Sequence, residues 1–350
     1  MLSRDEYLKL PLKERFIRLN KQEDERATML HEKLVSIDLH THLAAPHRIP
    51  NFERQKVRNS GLTCFFEAVA DVDELYERSV DELASALRFF RSQVDMPVGF
   101  HAEDIRKAKE GKQLVMVQFE PQTIGLQLDR IDKLYGLGVR MMMLTFNSRN
   151  YVGDGCGERT DSGLSYFGLD VVERMNKVGV MIDLSHCGDK TTLDTIEASK
   201  DPVLFNHTGA RSLHQKCKRL KTDEAMKALA EKGGLMGISG IPNQLSNEKR
   251  QGIQDLLNHV DYAVKLIGID HVAIGLDIVF GDQVASHRAN PAFALKRTGV
   301  ELNADYMEGI ENPEEWPNIT RGLVSRGYSD QEIEKIIGGN ALRIIEQVVG

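Results

Sequence analysis

Seven short, nearly unbroken apolar runs punctuate the chain: LVSIDL (34–39), LVMVQF (114–119), RMMMLTF (140–146), VMIDL (180–184), PVLF (202–205), GLMGIS (234–239) and HVAIGL (271–276). They lack the polar alternation of a strand with one wet face, so they predict parallel strands buried on both faces. Between them apolar residues recur at helical spacing, most clearly over 73–93, 168–179 and 222–234. The second of these ends on Gly179, where a helix favours a left-handed residue. The third opens with Thr222 as N-cap, carries acidic residues in its first turn and stops at Gly233. Repeated alternation of strand and helix predicts a parallel α/β fold. A doubly wound sheet would show the same alternation, but it usually carries a G-x-G-x-x-G turn after an early strand, and this chain has none. The expected architecture is a (β/α)8 TIM-type barrel over residues 34–350, with residues 1–33 as an N-terminal helical extension.

Composition narrows the function classes. With 350 residues, 41% hydrophobic and 28% charged, the chain has an ordinary globular make-up, and barrels of this length are routinely one domain. A net charge of −7, with no basic cluster interleaved with aromatics, argues against nucleic-acid and anionic-membrane partners. No run approaches the roughly 18 apolar residues of a membrane span. The four cysteines (Cys64, Cys156, Cys187, Cys217) are scattered, without a CxxC pair, which fits a reducing compartment. The opening MLSRDEYLKLPLKERF is charged throughout and lacks the apolar core of a signal peptide, so the expected location is cytoplasmic.

The chemistry lies at the strand ends. His40 and His42 close the first run, Glu120 follows the second, His186 follows MIDLS, His207 follows PVLFN, and Asp277 follows VAIGL. In a barrel these C-terminal ends converge on one rim, where active sites are built. Any one of these residues is unremarkable alone; their joint placement is informative. Imidazole and carboxylate suit zinc and related divalent metals. Four histidines with one bridging carboxylate can hold two metals roughly 3.5–4 Å apart, acidifying a shared water and polarising a carbonyl oxygen. Asp277 then serves as general base and general acid. The remaining histidines (His31, His47, His101, His214, His259, His271 and His287) fall in predicted helices, loops or strand starts and read as ordinary.

Several segments carry a family resemblance. FGLDVVERMNKVGVMIDLSHCGD (167–189), NHTGARSL (206–213), VAIGLDIVFGD and the closing WPNITRGLVSRGYSDQEIEKIIGGNALRIIE (316–346) resemble the membrane (renal) dipeptidase family of amidohydrolases. The likeness runs from about residue 34 to 349; residues 1–33 have no evident counterpart, and 283–303 align poorly. It implies an amidohydrolase-like barrel with two zinc ions per subunit, a small dipeptide or related amide as substrate, and self-association into a homo-oligomer. By motif it implies His40 as the first ligand, Glu120 as the bridging carboxylate, His186 and His207 as ligands of the second metal, and Asp277 as acid/base. It also implies that Arg219, in KRLKTDE, receives the substrate carboxylate, for which a planar guanidinium is suited.

Two positions depart from the family pattern. His42 stands where the family carries an aspartate in H-x-D, which removes a negative charge from the site. Phe146, in LTFNSRN, stands where the family places a histidine that contacts the developing oxyanion; Asn147 beside it is a candidate substitute donor. The leading expectation is a zinc-dependent dipeptidase-like hydrolase using a metal-bridging hydroxide. The alternatives are an amidohydrolase acting on a lactone, a cyclic amide or an N-acyl compound, and a metal-binding barrel without catalysis.

Overall fold

A computed structural model describes residues 2–43, 54–69, 75–92, 96–108, 113–119, 124–279, 281–289 and 295–350. Its centre is a parallel sheet that follows chain order: β1 (Ile37–His42), β2 (Cys64–Val69), β3 (Leu114–Phe119), β4 (Val139–Met143), β5 (Met181–Asp183), β6 (Leu204–Thr208) and β7 (Leu235–Ile238). The eighth strand is split. Its first part, β8 (Val272–Ile274), pairs with β7, and its continuation, Ile278–Val279, pairs with β1. The sheet therefore closes on itself, and the Asp277 N–H donating to the His40 carbonyl at 2.9 Å seals the seam. This is the expected (β/α)8 barrel.

Strand residues alternate between two cores, as the pleat requires. Ile37, Leu39, Phe66, Met116, Met141, Met181, Leu204 and Leu235 fill the barrel interior. Phe65, Val115, Met142, Ile182, Phe205 and Met236 face the surrounding helices. Seven strands match the apolar runs; β2, CFFEAV, is the one they miss, because Glu67 interrupts it. The helices start and stop where their residues direct. Ser165 caps Tyr166–Val178 by accepting from the Gly168 N–H, and Gly179 ends it at φ 87°. Thr222 caps Asp223–Glu231 by accepting from the Ala225 N–H.

Two bulges near the rim matter for function. Two residues of β1, Leu39 and His40, oppose one of β2 between Asp38 and Thr41, and two of β6, Asn206 and His207, oppose one of β7 between Phe205 and Thr208. An extra residue breaks the strict alternation. Leu39 and His40 consequently both turn inward, as do Asn206 and His207.

Residues 4–33 form three helices, Arg4–Leu8, Leu12–Arg15 and Lys21–Lys33. They are fastened to the segment before and within the helix Pro317–Ser325. The Tyr7 hydroxyl accepts from the Gly309 N–H at 2.6 Å and donates to Glu315, and Arg15 pairs with Glu315 and Glu314. His31 bridges Thr320 and the Ser60 carbonyl at 3.0 and 2.8 Å.

Candidate metal centre

Five of the six residues singled out at the strand ends meet at the C-terminal mouth of the barrel. The sixth, Glu120, lies outside the described residues. His40 and His42 come from β1, His186 from the turn after β5, and His207 from β6. Asp277 sits in the break of the eighth strand at φ 57°, a left-handed conformation that a non-glycine residue adopts at some cost. The break turns its carboxylate back over the mouth. Its Oδ1 lies 3.4 Å from His40 Nε2 and 3.2 Å from His42 Nε2, and its Oδ2 lies 3.8 Å from His207 Nε2. Ligand atoms of His40, His207 and Asp277 all fall within 4.8 Å of one another.

The imidazoles are oriented by side-chain oxygens on their outer nitrogens. Nδ1 of His40 donates to Gln118 Oε1 at 3.0 Å, Nδ1 of His186 to Asn147 Oδ1 at 2.8 Å, and Nδ1 of His207 to Asn206 Oδ1. Each bond assigns the proton to Nδ1 and leaves the Nε2 lone pair directed into the mouth. The Nε2 atoms then face one another in two pairs, His40 with His42 at 3.2 Å and His186 with His207 at 3.1 Å. Two lone pairs at that separation repel unless a cation lies between or beside them. The donor set therefore fits a divalent metal.

Electrostatics favour the same state. Burial pushes the His40 pKa down to about 3, against a pull upward from Asp277. Burial also carries His186 and His207 well below the ordinary value, with Arg219 adding to the effect. Neutral imidazole is the metal-binding form. Burial raises the Asp277 carboxyl, and the adjacent His40 and His42 rings more than offset it, so the group stays below the usual carboxylate range.

An outer layer of polar residues, not evident as functional in the sequence, holds these groups. Gln118 Oε1 also accepts from Asn206 Nδ2 at 2.8 Å, tying β3 to β6. Buried Asp183 accepts from the backbone N–H groups of Ser185 and Asn206 at 3.0 and 2.9 Å, fixing the residues next to His186 and His207. Asp38 accepts from the His40 and Leu276 N–H groups at 3.2 and 3.0 Å and from Trp316 Nε1 at 3.0 Å. Burial raises its carboxyl to about 7. The sequence signal for this layer is a polar residue beside each ligand in an otherwise apolar strand: Asp38, Gln118, Asp183 and Asn206.

The remaining candidates line the His186 side. Phe146 is 8% exposed and stacks on the His186 ring at 4.1 Å, presenting a carbon face to that side of the mouth. Asn147 commits its Oδ1 to His186, and the Cys156 thiol donates to the same oxygen at 3.2 Å. Arg219 is 2% exposed beneath the two ligands. Its Nη1 donates to the Ser185 carbonyl and its Nη2 to the His207 carbonyl at 3.0 Å, while its Nε has no hydrogen-bond partner among the described residues. One histidine read as ordinary, His287, is brought within electrostatic reach of Asp277 and His42. No described helix is long and apolar enough to cross a membrane.

Comparison with known proteins agrees with this geometry. The profile of the membrane dipeptidase family, Peptidase family M19, matches residues 11–287 and 299–349, reaching back into the N-terminal helices. Dipeptidase tcpJ of Claviceps purpurea is 27% identical over 277 residues, covering 77% of this chain and 59% of the relative. Dipeptidase 3 of Rattus norvegicus is 30% identical over 222 residues, covering 61% of this chain and 40% of the relative. The chain thus spans about half the length of the curated relatives it matches. Among solved structures, an amidohydrolase from Pseudomonas aeruginosa superposes with a TM-score of 0.83 at 29% identity, covering 93% of this chain and 99% of that one.

Proposed function

The chain belongs to the membrane dipeptidase family, Peptidase family M19, and from that premise we propose that it is a zinc-dependent hydrolase of dipeptides or dipeptide-like amides. The observation that carries the proposal is the pair of facing Nε2 contacts, His40 with His42 and His186 with His207, with the rings of His40, His186 and His207 held from behind by carboxamide oxygens. Two such pairs, with Glu120 as the bridging ligand, suit a dinuclear site. Bound zinc supplies an acidified water and polarises the scissile carbonyl.

The chain's own residues do the rest. Asp277 faces the two β1 histidines and is ionised at neutral pH, so it can take the proton of the attacking water and return it to the leaving amine. Gln118, Asn147 and Asn206 hold the rings in the tautomer that binds metal, which preorganises the site before substrate arrives. Arg219 keeps a positive charge beneath His186 and His207, suited to the free carboxylate of a dipeptide. A reducing, cytoplasmic location suits four cysteines that are all free and buried.

His186→Ala tests the proposal. Zinc content and turnover of mixed dipeptides are expected to fall together, and full activity in that variant would sink it. A second reading, hydrolysis of a lactone, cyclic amide or N-acyl compound, is favoured by the Phe146 ring stacked on His186. Comparing each dipeptide with its C-terminal amide separates the two: under the dipeptidase reading turnover falls when the free carboxylate is removed, and under the second it does not.

A further inference from the structure

Amide hydrolysis places negative charge on the carbonyl oxygen, and a preorganised N–H donor aimed at that oxygen accelerates the reaction. On the His186 side the wall is Phe146, which has no donor, and the neighbouring Asn147 has its oxygen tied to His186. Across the mouth, on the His42 side, the chain leaves the broken eighth strand and enters the helix Gln283–Ala289.

That helix has one inward face. Gln283 is half-buried and its Nε2 donates to the Asp277 carbonyl at 2.9 Å, which pins the first turn to the catalytic strand break. Val284 is buried. His287 lies one turn beyond Gln283, on the same face, and is half-buried like it. Ala285, Ser286 and Arg288 are exposed, and Arg288 bonds Asp305 at 2.9 Å. Gln283 thus turns this face of the helix toward the strand break, and His287 lies on that face within electrostatic reach of Asp277 and His42.

We propose that His287 is a catalytic residue of this site, contacting the substrate from the His42 side and donating its ring N–H to the scissile carbonyl oxygen as charge develops there. The proposal rests on the dipeptidase reading and adds to it the residue that faces the developing oxyanion. It also gives a role to the segment after Asp277, part of which, residues 288–298, lies outside the family match. A histidine on the following helix meets the need that Phe146 leaves unmet on the strand β4 side.

The test compares zinc-loaded wild type with His287→Ala and His287→Gln, the second keeping an N–H donor at similar reach. Four quantities are read: zinc content, kcat and KM on dipeptides, and inhibition by a phosphinic dipeptide analogue, whose tetrahedral oxyanion mimics the transition state. The expected result is a kcat about 10²-fold lower in His287→Ala, with zinc content and KM unchanged. Inhibition weakens by a similar factor, and His287→Gln recovers most of both. Unchanged kcat and inhibition in His287→Ala would overturn the proposal while leaving the dipeptidase reading intact. Loss of zinc in both variants would assign His287 to the metal or the fold and overturn it too. A wild type that neither cleaves dipeptides nor binds the analogue would remove the functional reading and this proposal with it.

Discussion

Asn147 is the residue whose substitution divides two roles most cleanly. Its Oδ1 accepts from His186 Nδ1 at 2.8 Å and from the Cys156 thiol at 3.2 Å, both in buried surroundings. Replacing it with leucine keeps the branching at Cγ and removes the acceptor. The His186 N–H is then buried without a partner, a penalty of about 1–3 kcal/mol. The ring is also free to change tautomer, so metal affinity should fall by about 10–100-fold, the usual effect of removing a group that orients a ligand. The two magnitudes agree, since tenfold is about 1.4 kcal/mol. Competition against a chromophoric zinc chelator measures the affinity, and denaturant unfolding of the metal-free protein measures the penalty. Asn147→Asp keeps the acceptor and loses the amide NH2. It should hold zinc at least as well as wild type, and any fall in its turnover would then report a substrate contact by that NH2. Zinc affinity in Asn147→Leu equal to wild type would refute the assignment of Asn147 as the group that orients His186.

Two further predictions concern the frame. Burial raises the Glu315 carboxyl from 4.5 to about 7, and Arg15 only partly offsets this; the folded state therefore binds a proton that the unfolded state has released. That contribution is complete below pH 4.5 and is lost as pH rises through about 7. Glu315→Gln stays neutral, so denaturant unfolding at stepped pH should show the variant gaining on wild type as pH rises across that window, whereas parallel curves would contradict it. A Cβ at Gly275 would lie 1.8 Å from the Asn206 carbonyl oxygen. Gly275→Ala should therefore destabilise by about 3 kcal/mol or more and lower zinc retention through His207, and a wild-type melting temperature would refute that.

The barrel and the convergence of His40, His42, His186, His207 and Asp277 at its mouth are legible in the chain for the same reason: parallel strands bury both faces, so a polar residue at a strand's end stands out against an apolar run. Glu67 hid β2 by the converse effect, a carboxylate inside the run that accepts from the Leu43 N–H at 2.8 Å. The bulges in β1 and β6 are not legible, because pairing two residues against one depends on the neighbouring strand. Nor is the Asp38–Trp316 bond, whose partners stand 278 positions apart. His287 escaped notice because its helix is short and polar, and only its anchorage through Gln283 to Asp277 turns that face toward the site.

The central claim, that this metal centre hydrolyses dipeptides, is tested most directly by amino-acid release from a panel of L-L and L-D dipeptides, comparing zinc-loaded with chelated protein. The account predicts release that depends on zinc and returns when zinc is restored. Silence across the panel from protein that still holds two zinc ions would contradict it and transfer the chemistry to lactones, cyclic amides or N-acyl compounds.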